Sequence, residues 1–265
     1  MGLCEEKILI WVYSKKQPPK YEFSNRSSQL KRQSFSLILD FDSTFITGET
    51  LDELAVISLV GHNRRDEIID DIRKITELGM AGKISFTDSL KRRLNQLSAT
   101  NDHLKQLSKN LKGQITASIG RNQDYFIANQ SRIYIVSGGF KDVIRSVTND
   151  FKIREDHIFA NDVLFDEQSN LVGIDLNNPL SRDHGKSQVI EKGSIPHPIL
   201  MFGDGYTDLE VKKDGAADYF FAFTENVNRP EVTCEADRAI SSFDEFIEMY
   251  QQGNLFDFQL ITDKN

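Results

Sequence analysis

Short apolar runs alternate with longer amphipathic stretches along most of this chain of 265 residues. Where polar or turn residues bound such a run, the pattern predicts a buried β-strand. Strands are predicted in this way at residues 37–39, 132–136, 198–202 and 219–223. Two further runs, 158–165 and 171–174, flank the polar turn cluster at 166–170 and predict a β-hairpin.

Between residues 50 and 112 the apolar positions recur at helical spacing, and no strand pattern interrupts them. Thr50 and Glu53 form a T-x-x-E pattern that predicts a capping box at the first helix. Ser85 and Asp88 resemble a second cap, at the start of a helix. The apolar stripes of the other helices are Ile68, Ile69, Ile72 and Ile75; Phe86, Leu90, Leu94 and Leu97; and Leu104, Leu107 and Leu111.

Alternation of strands with helices predicts a parallel sheet that is covered by helices on both faces. The expected fold is therefore a doubly wound α/β core of the Rossmann type with an inserted helical cap domain. The core is expected to comprise residues 35–48 and 119–252, and the cap residues 49–118. Residues 1–34, which contain Pro18-Pro19 and a polar run, are expected to form an N-terminal appendage or linker of unknown role.

The balance of charged residues argues against some classes of binding partner. The formal net charge is −8, from 32 basic and 40 acidic residues, which argues against general binding of nucleic acid or a membrane surface. Cys4 and Cys234 have no paired spacing, so they are expected to be reduced thiols in a cytoplasmic protein. The apolar run at 8–13 follows Glu5 and Glu6 and is too short for a signal peptide. The oligomeric state is left open.

Three predicted strands end in small or acidic residues, and the carboxyl ends of parallel strands meet at one edge of the sheet. Glycines at such an edge let backbone N–H groups approach a phosphate, and carboxylate oxygens suit Mg²⁺. A lone Asp-x-Asp is more typical of a solvated turn, but three such ends together favour a phosphate held with a divalent cation, for which Mg²⁺ is suited. The residues are Asp40 and Asp42; Ser137, Gly138 and Gly139; and Gly203, Asp204, Gly205 and Asp208. Lys186 could supply a cation that balances the phosphate.

Arg93 lies on the apolar face of its predicted helix. At about 100° per residue, position 93 falls roughly 20° from Phe86, whereas Arg92 points to the opposite face. An arginine on a buried face needs an anionic partner, because an unpaired buried charge is costly. The pattern leaves three explanations open: a bound anion, an internal salt bridge, or a side chain that extends to solvent.

At these residues the chain resembles the haloacid dehalogenase (HAD) superfamily of phosphohydrolases and, within it, the phosphoserine phosphatase family. Four motifs occur in the family's order: DFDSTFITGETLDELA, VSGGF, HGKSQVIEK and GDGYTDLE. Any one of them is a weak signal, but four in order are specific. The resemblance covers about residues 36–250. It implies Mg²⁺-dependent hydrolysis of O-phospho-L-serine to L-serine and phosphate, in serine biosynthesis.

The resemblance also implies the role of each catalytic residue. Asp40 would be the nucleophile that becomes an aspartyl-phosphate, and Asp42 the general acid and then the base. Mg²⁺ would be held by the side chains of Asp40 and Asp204 and by the backbone carbonyl of Asp42, with Asp208 supporting the metal. Lys186 would counter the charge of the phosphate.

The residues expected to bind substrate come from both lobes. Arg93 would meet the substrate carboxylate and Glu49 its amino group. Thr207 stands where many relatives carry Asn, and Tyr206 is bulkier than the residue that is common there. The full set is Glu49, Met80, Phe86, Arg93, Ser137, Gly138, Lys186 and Thr207. Two alternatives to a phosphoserine hydrolase are a phosphatase or phosphotransferase for another small phosphomonoester, and a non-catalytic phosphate-binding protein of the same fold.

Overall fold

The computed structural model describes residues 34–256. Its first half contains β1 (Ser36–Leu39), α1 (Thr50–Ser58), α2 (Arg65–Met80), α3 (Phe86–Leu94), α4 (Asn101–Leu111), α5 (Ala117–Arg121), α6 (Gln123–Ala128), β2 (Ile133–Phe140) and α7 (Lys141–Thr148). Its second half contains β3 (Ile158–Asn161), β4 (Val163–Phe165), β5 (Leu171–Ile174), α8 (Gly185–Lys192), β6 (Ile199–Gly203), α9 (Tyr206–Lys213), β7 (Tyr219–Phe223), α10 (Pro230–Thr233), β8 (Arg238–Ile240) and α11 (Phe243–Gln252). None of these helices is long and apolar enough to cross a lipid bilayer. The predictions for the segment before residue 34 lie outside the described residues.

Six strands form one parallel sheet in the order β3-β2-β1-β6-β7-β8. The chain moves outward from β1 in one direction to β2 and β3, and in the other direction to β6, β7 and β8. Leu37 of β1 is in register with Ile133 of β2 and with Leu200 of β6. Ligands of such sheets bind beyond the carboxyl ends of the strands, where the strand order reverses. In this chain that position is the end of β1.

Side chains alternate between two hydrophobic layers along the central strand. Leu37 and Leu39 face the layer that contains residues of α7 and α11. Ile38 faces the opposite layer, which contains residues of α8 and α9. Helices therefore cover both faces, and the predicted doubly wound α/β fold is confirmed.

The predicted run of helices between the first two strands of the sheet is confirmed for α1–α4. The segments that lead into and out of this run lie side by side. The N–H of Thr47 donates to the carbonyl of Gln114 at 2.8 Å, and the N–H of Thr116 donates to the carbonyl of Phe45 at 3.0 Å. This paired entry and exit supports a cap inserted at residues 49–118, and those boundaries stay a prediction.

Two local predictions were wrong. The predicted hairpin is confirmed for β4 and β5, which pair antiparallel around residues 166–170, but its first strand is shorter than predicted, because residues 158–161 form β3 in the parallel sheet. The side-chain amide of Asn161 explains the break after β3, because it donates to the carbonyls of Gly138 and Leu180 at 2.9 Å each and fixes this residue in the core. The capping box at Thr50 is also absent. Thr50 is the first helical residue, and its N–H donates to Asp42 at 3.0 Å.

Four short elements had no counterpart in the sequence predictions. They are α5, α6, α10 and β8. Each is six residues long or shorter, so a period of two or 3.6 residues cannot be recognised within it.

The predicted cap at Ser85 is confirmed, since its Oγ accepts the N–H of Asp88 at 3.1 Å. Ser85→Ala removes this acceptor from the start of α3, and we expect the free energy of unfolding to fall by about 1 kcal/mol. Urea denaturation measures the change. Ser98→Ala, an exposed serine in the loop after the same helix, is the control. Equal stability of the two variants would show that the cap contributes nothing.

Candidate active site

Asp40 follows the last residue of β1 and is 3% exposed. Its Oδ1 accepts the N–H of Phe41 at 2.7 Å and lies 2.9 Å from Nζ of Lys186. Its Oδ2 accepts no hydrogen bond from residues 34–256. One oxygen of this carboxylate is therefore held in place, while the other is available to a ligand.

The chain turns sharply over Phe41–Phe45, with non-helical angles at Asp42 and Ser43. Ser43 has φ of 51°, in the left-handed region that is unfavourable for a residue other than glycine. Its N–H donates to the carbonyl of Gly48 at 3.0 Å, and its hydroxyl donates to Glu49 Oε1 at 2.7 Å. These bonds hold the strained turn and place Glu49 close to the end of β1.

Asp42 is half-buried against the start of α1. Its Oδ1 accepts both the N–H of Thr50, at 3.0 Å, and the hydroxyl of Thr50. Burial raises the pKa of Asp42 to about 7, and the charge of Asp40 adds to the shift while Thr50 opposes it. A carboxyl group with a pKa near neutrality can both donate and accept a proton in general acid–base catalysis.

Ser137 and Gly138 lie near the end of β2, where the register with β3 shifts between Val136 and Phe140. Ser137 is 1% exposed, and its Oγ accepts the N–H of Gly139 at 3.1 Å. The hydroxyl hydrogen of Ser137 is therefore available to a ligand. A Cβ on Gly138 would lie 2.5 Å from the ring of Phe86, so only glycine permits α3 to pack this closely on the strand end.

Asp204 and Asp208 follow β6 and are both buried. Oδ2 of Asp204 accepts from Arg229 Nε at 3.1 Å, and Oδ1 accepts from the hydroxyl of Thr44 at 3.3 Å. Asp208 accepts the N–H of Gly205 at 3.1 Å. Burial raises the pKa of Asp204 to about 6, against the opposing charge of Arg229. Burial, with the charge of Asp40, raises the pKa of Asp208 to about 8.

Lys186 lies in the first turn of α8 and is 7% exposed. Its Nζ is 2.7 Å from Oδ1 of Asp208 and 2.9 Å from Oδ1 of Asp40. Burial alone would lower the pKa of Lys186, but the charges of these two carboxylates outweigh burial and raise it above its ordinary value. Lys186 is therefore a fixed cation between two of the buried acids.

The donor set at the strand ends fits a magnesium ion. Asp40, Asp204 and Asp208 are all buried, and each offers one carboxylate oxygen within 4.8 Å of the others. Carboxylates crowded in this way resist joint ionisation unless a cation lies between them. An all-oxygen set of this kind suits Mg²⁺. Burial is the main cause of the raised pKa values of Asp204 and Asp208, and the charge of Asp40 adds to both.

Arg93 is buried on α3, as its position in the helix predicted, with 6% of its surface exposed. Its Nε donates to the carbonyl of Ser89 at 3.3 Å, and Nη1 donates to the hydroxyl of Thr76 at 3.2 Å. It forms no ion pair with any carboxylate of the described chain, and it does not reach solvent. The side chain of Arg93 therefore neither reaches solvent nor forms a direct salt bridge, although the charges of Glu49, Asp52 and Asp42 act on its guanidinium from a longer distance.

Glu49 also has a carboxylate oxygen that lacks a direct partner. Its Oε1 accepts from Ser43, whereas Oε2 is buried and accepts no hydrogen bond within residues 34–256. Burial, with the charge of Asp42 next in size, raises the pKa of Glu49 well above its ordinary value. A buried carboxylate oxygen without a donor marks a position for a cationic or hydrogen-bonding ligand.

One pocket joins most of the predicted residues. Its lining combines strand ends with helices of the insert: Asp40, Asp42, Leu51, Met80, Phe86, Arg93, Ser137, Gly138, Gly139, Lys186 and Thr207. Glu49, Asp204 and Asp208 do not line this pocket. Asp208 contacts the lining residue Lys186, whereas Glu49 and Asp204 bond to Ser43 and Thr44, which directly follow Asp42 in the chain.

No protein-family model matches the chain, but curated relatives do. The phosphoserine phosphatase of Drosophila melanogaster is 31% identical over 234 residues, which are 87% of this chain and 82% of the relative. The chloroplastic phosphoserine phosphatase of Arabidopsis thaliana is 31% identical over 221 residues, 82% of this chain and 72% of the relative. The chain belongs to the phosphoserine phosphatase family.

Solved structures agree with this membership. A phosphoserine phosphohydrolase-like protein from Francisella tularensis subsp. tularensis SCHU S4 superposes with a TM-score of 0.74 at 27% identity. The match covers 82% of this chain and 99% of that protein. The resemblance inferred from the four motifs is therefore confirmed at the level of family and fold.

In this family member the two departures from the common pattern lie in different surroundings. Thr207 lines the pocket. Tyr206 lies outside that lining and packs against Gly82, where a Cβ would lie 2.7 Å from the tyrosine ring. The bulk of Tyr206 is thus accommodated by a glycine in the loop after α2.

Three residues of this site were missed by the sequence predictions. Thr50 was interpreted as a helix cap, whereas it donates two hydrogen bonds to Asp42. Thr44 and Arg229 hold the two oxygens of Asp204. Arg229 lies in the segment between β7 and α10, and no local sequence pattern marks it as a partner of Asp204.

Proposed function

We propose that this chain hydrolyses O-phospho-L-serine to L-serine and phosphate. The observation that carries the proposal is that the Arg93 guanidinium and the Oε2 atom of Glu49 are buried and make no direct ionic contact within residues 34–256. A phosphoserine molecule brings a carboxylate for the first and an ammonium for the second. Its phosphate is left for the polar groups at the strand ends.

The core residues of the pocket are proposed to hold the phosphate. Lys186 supplies a positive charge, the hydroxyl of Ser137 donates a hydrogen bond, and the backbone at Gly138 allows close approach. The free Oδ2 of Asp40 attacks phosphorus and forms an aspartyl-phosphate, while the bond to the serine oxygen breaks. Asp42 gives its proton to that oxygen.

The second half-reaction returns the enzyme to its starting state. Asp42, now a carboxylate, takes a proton from a water molecule, whose oxygen attacks the phosphorus of the aspartyl-phosphate. Phosphate leaves, and Asp40 is again a free carboxylate. Splitting the hydrolysis into two displacements lowers each barrier, which is the general advantage of covalent catalysis. A pKa of about 7 at Asp42 suits both of its proposed proton transfers.

Mg²⁺ is the proposed cofactor, because the buried acids at the strand ends fit it. Asp40 and Asp204 would hold it by side chain and Asp42 by its backbone carbonyl, with Asp208 fixing the surroundings through Lys186 and Gly205. The ion would neutralise charge on the phosphate and orient it for in-line displacement. A role in serine biosynthesis and a cytoplasmic location stay predictions.

Substrate selection is the decisive test. The residues at the strand ends recognise only the phosphate, so selectivity must come from Arg93 and Glu49. Phosphoserine should therefore be hydrolysed with a much higher kcat/KM than phosphoethanolamine, which lacks the carboxylate, or glycerol phosphate, which lacks both charges. Arg93→Ala should lower kcat/KM for phosphoserine roughly 30- to 1,000-fold, the cost of leaving one charge-assisted contact unmade.

Arg92→Ala is the matched control, because Arg92 lies on the same helix, pairs with Asp88 and is exposed. It should leave the preference intact, and both variants should hydrolyse a generic aryl phosphate at nearly the wild-type rate. Equal use of phosphoserine and phosphoethanolamine by the wild type would favour a HAD phosphatase for another phosphomonoester. Absence of hydrolysis with every substrate in the presence of Mg²⁺ would favour the non-catalytic binding protein.

A further inference from the structure

Arg229 joins the buried acid cluster to a helix of the insert. It precedes α10 and its side chain is 5% exposed. Its Nε lies 3.1 Å from Oδ2 of Asp204, and its Nη1 lies 2.5 Å from Oε2 of Glu77 on α2. One guanidinium thus contacts a carboxylate that faces the catalytic edge and a second carboxylate from the helical segment.

The ion pair between Arg229 and Glu77 differs from the ion pairs on the protein surface. An exposed pair contributes little, because solvent already satisfies both charges. Here Glu77 is 65% exposed, but Arg229 is buried, and its Nη2 has no acceptor within residues 34–256. Glu77 is therefore the group that satisfies the outer end of a buried cation. Without it, the guanidinium would lose the acceptor that keeps Nε directed at Asp204.

A cleft of about 650 Å³ lies against the same two residues. Glu77 and Arg229 line this cleft, whereas Asp204 behind them is 2% exposed. The pair thus separates solvent from the acid cluster. Movement of Arg229 toward the cleft would admit water to Asp204 and release the orientation of its carboxylate.

We propose that Glu77 is a positioning residue, which holds Arg229 against Asp204 and so fixes that carboxylate for the metal ion. This inference rests on the proposed function, because it assigns Asp204 to Mg²⁺. Arg229 occupies Oδ2 of Asp204, and Thr44 contacts Oδ1 only weakly, at 3.3 Å. The carboxylate of Asp204 is consequently held mainly through Oδ2, and Oδ1 is the oxygen that remains for a ligand.

The test is the affinity for Mg²⁺ in the absence of substrate, measured by titration calorimetry. Glu77→Gln keeps the shape of the side chain and removes its charge. We expect the Kd for Mg²⁺ to rise about tenfold, as is usual when a residue that orients a metal ligand is lost. Glu67→Gln is the matched control, because Glu67 lies on the same helix and pairs with Arg64 at 2.6 Å, with both side chains about two-thirds exposed. It should leave the Kd within a factor of about two.

A double-mutant cycle shows whether Glu77 acts through Arg229. In an Arg229→Gln background, Glu77→Gln should change the Kd no further, because the group that it positions is gone. Equal affinities of Glu77→Gln and Glu67→Gln would overturn the proposal, as would an undiminished effect in the Arg229→Gln background. The comparison of the two glutamate variants stands alone if Arg229→Gln does not fold. Wild-type protein that binds no Mg²⁺ would also refute the proposal. Wild-type protein that binds Mg²⁺ but does not hydrolyse phosphoserine would refute only the proposed function.

Discussion

Asp40→Asn should lower the turnover of phosphoserine by several orders of magnitude while the protein remains folded. An amide nitrogen or oxygen is a far poorer nucleophile than a carboxylate, so the first displacement should fail. The substitution is otherwise mild. Asparagine retains an oxygen that can accept the N–H of Phe41 and the ammonium of Lys186, the two contacts made by Asp40 Oδ1. It also removes one negative charge from a crowded set, which should not destabilise the fold.

Covalent trapping makes this experiment specific. Wild-type protein quenched during turnover of phosphoserine labelled in the phosphate should retain label in an acid-stable form that hydroxylamine releases, as an acyl phosphate does. Asp40→Asn should retain none. Asp70→Asn, an exposed aspartate of α2, controls for the chemical change and should behave as wild type. If Asp40→Asn kept more than a few per cent of wild-type turnover, Asp40 would not be the nucleophile.

The part of this site that could be predicted from the sequence is the part that follows from strand direction. Asp40, Ser137 and Asp204 were expected to meet because parallel strands end at one edge. In the structure Asp40 and Ser137 line one pocket with Lys186, and Asp204 lies beside Asp40. The burial of Arg93 was predicted for a comparable reason. A helix has a fixed period, so the face of each residue follows from its number.

The contacts that could not be predicted connect residues far apart in sequence. Thr44 and Arg229 reach Asp204 across 160 and 25 positions, and no local pattern marks either side chain as a partner. The break after β3 has the same origin, since Asn161 is fixed by carbonyls from two other segments. Thr50 fitted a capping motif well, but in the structure its N–H and its hydroxyl both donate to the carboxylate of Asp42.

Removal of divalent metal should reduce phosphoserine hydrolysis to background, and Mg²⁺ should restore it. Hydrolysis should depend on the metal because an anionic nucleophile and an anionic phosphate repel each other. Lys186 offers one positive charge against the carboxylates of Asp40 and Asp208, and Arg229 offers one against Asp204. These cations are already matched by the acids that they contact, so the charge of a bound phosphate needs a further cation. EDTA treatment followed by an activity assay measures the loss.

Replacement of Mg²⁺ by Ca²⁺ separates a specific role of the ion from simple charge neutralisation. Ca²⁺ carries the same charge but is larger and takes more oxygen ligands at longer distances. The larger ion would disturb the in-line geometry between Asp40 and phosphorus. Ca²⁺ should therefore restore little activity, and unfolding curves should show that the EDTA-treated protein stays folded. Asp204→Asn should need far more Mg²⁺ for the same rate. Full activity in EDTA would refute the metal assignment and, with it, the proposed role of Asp204.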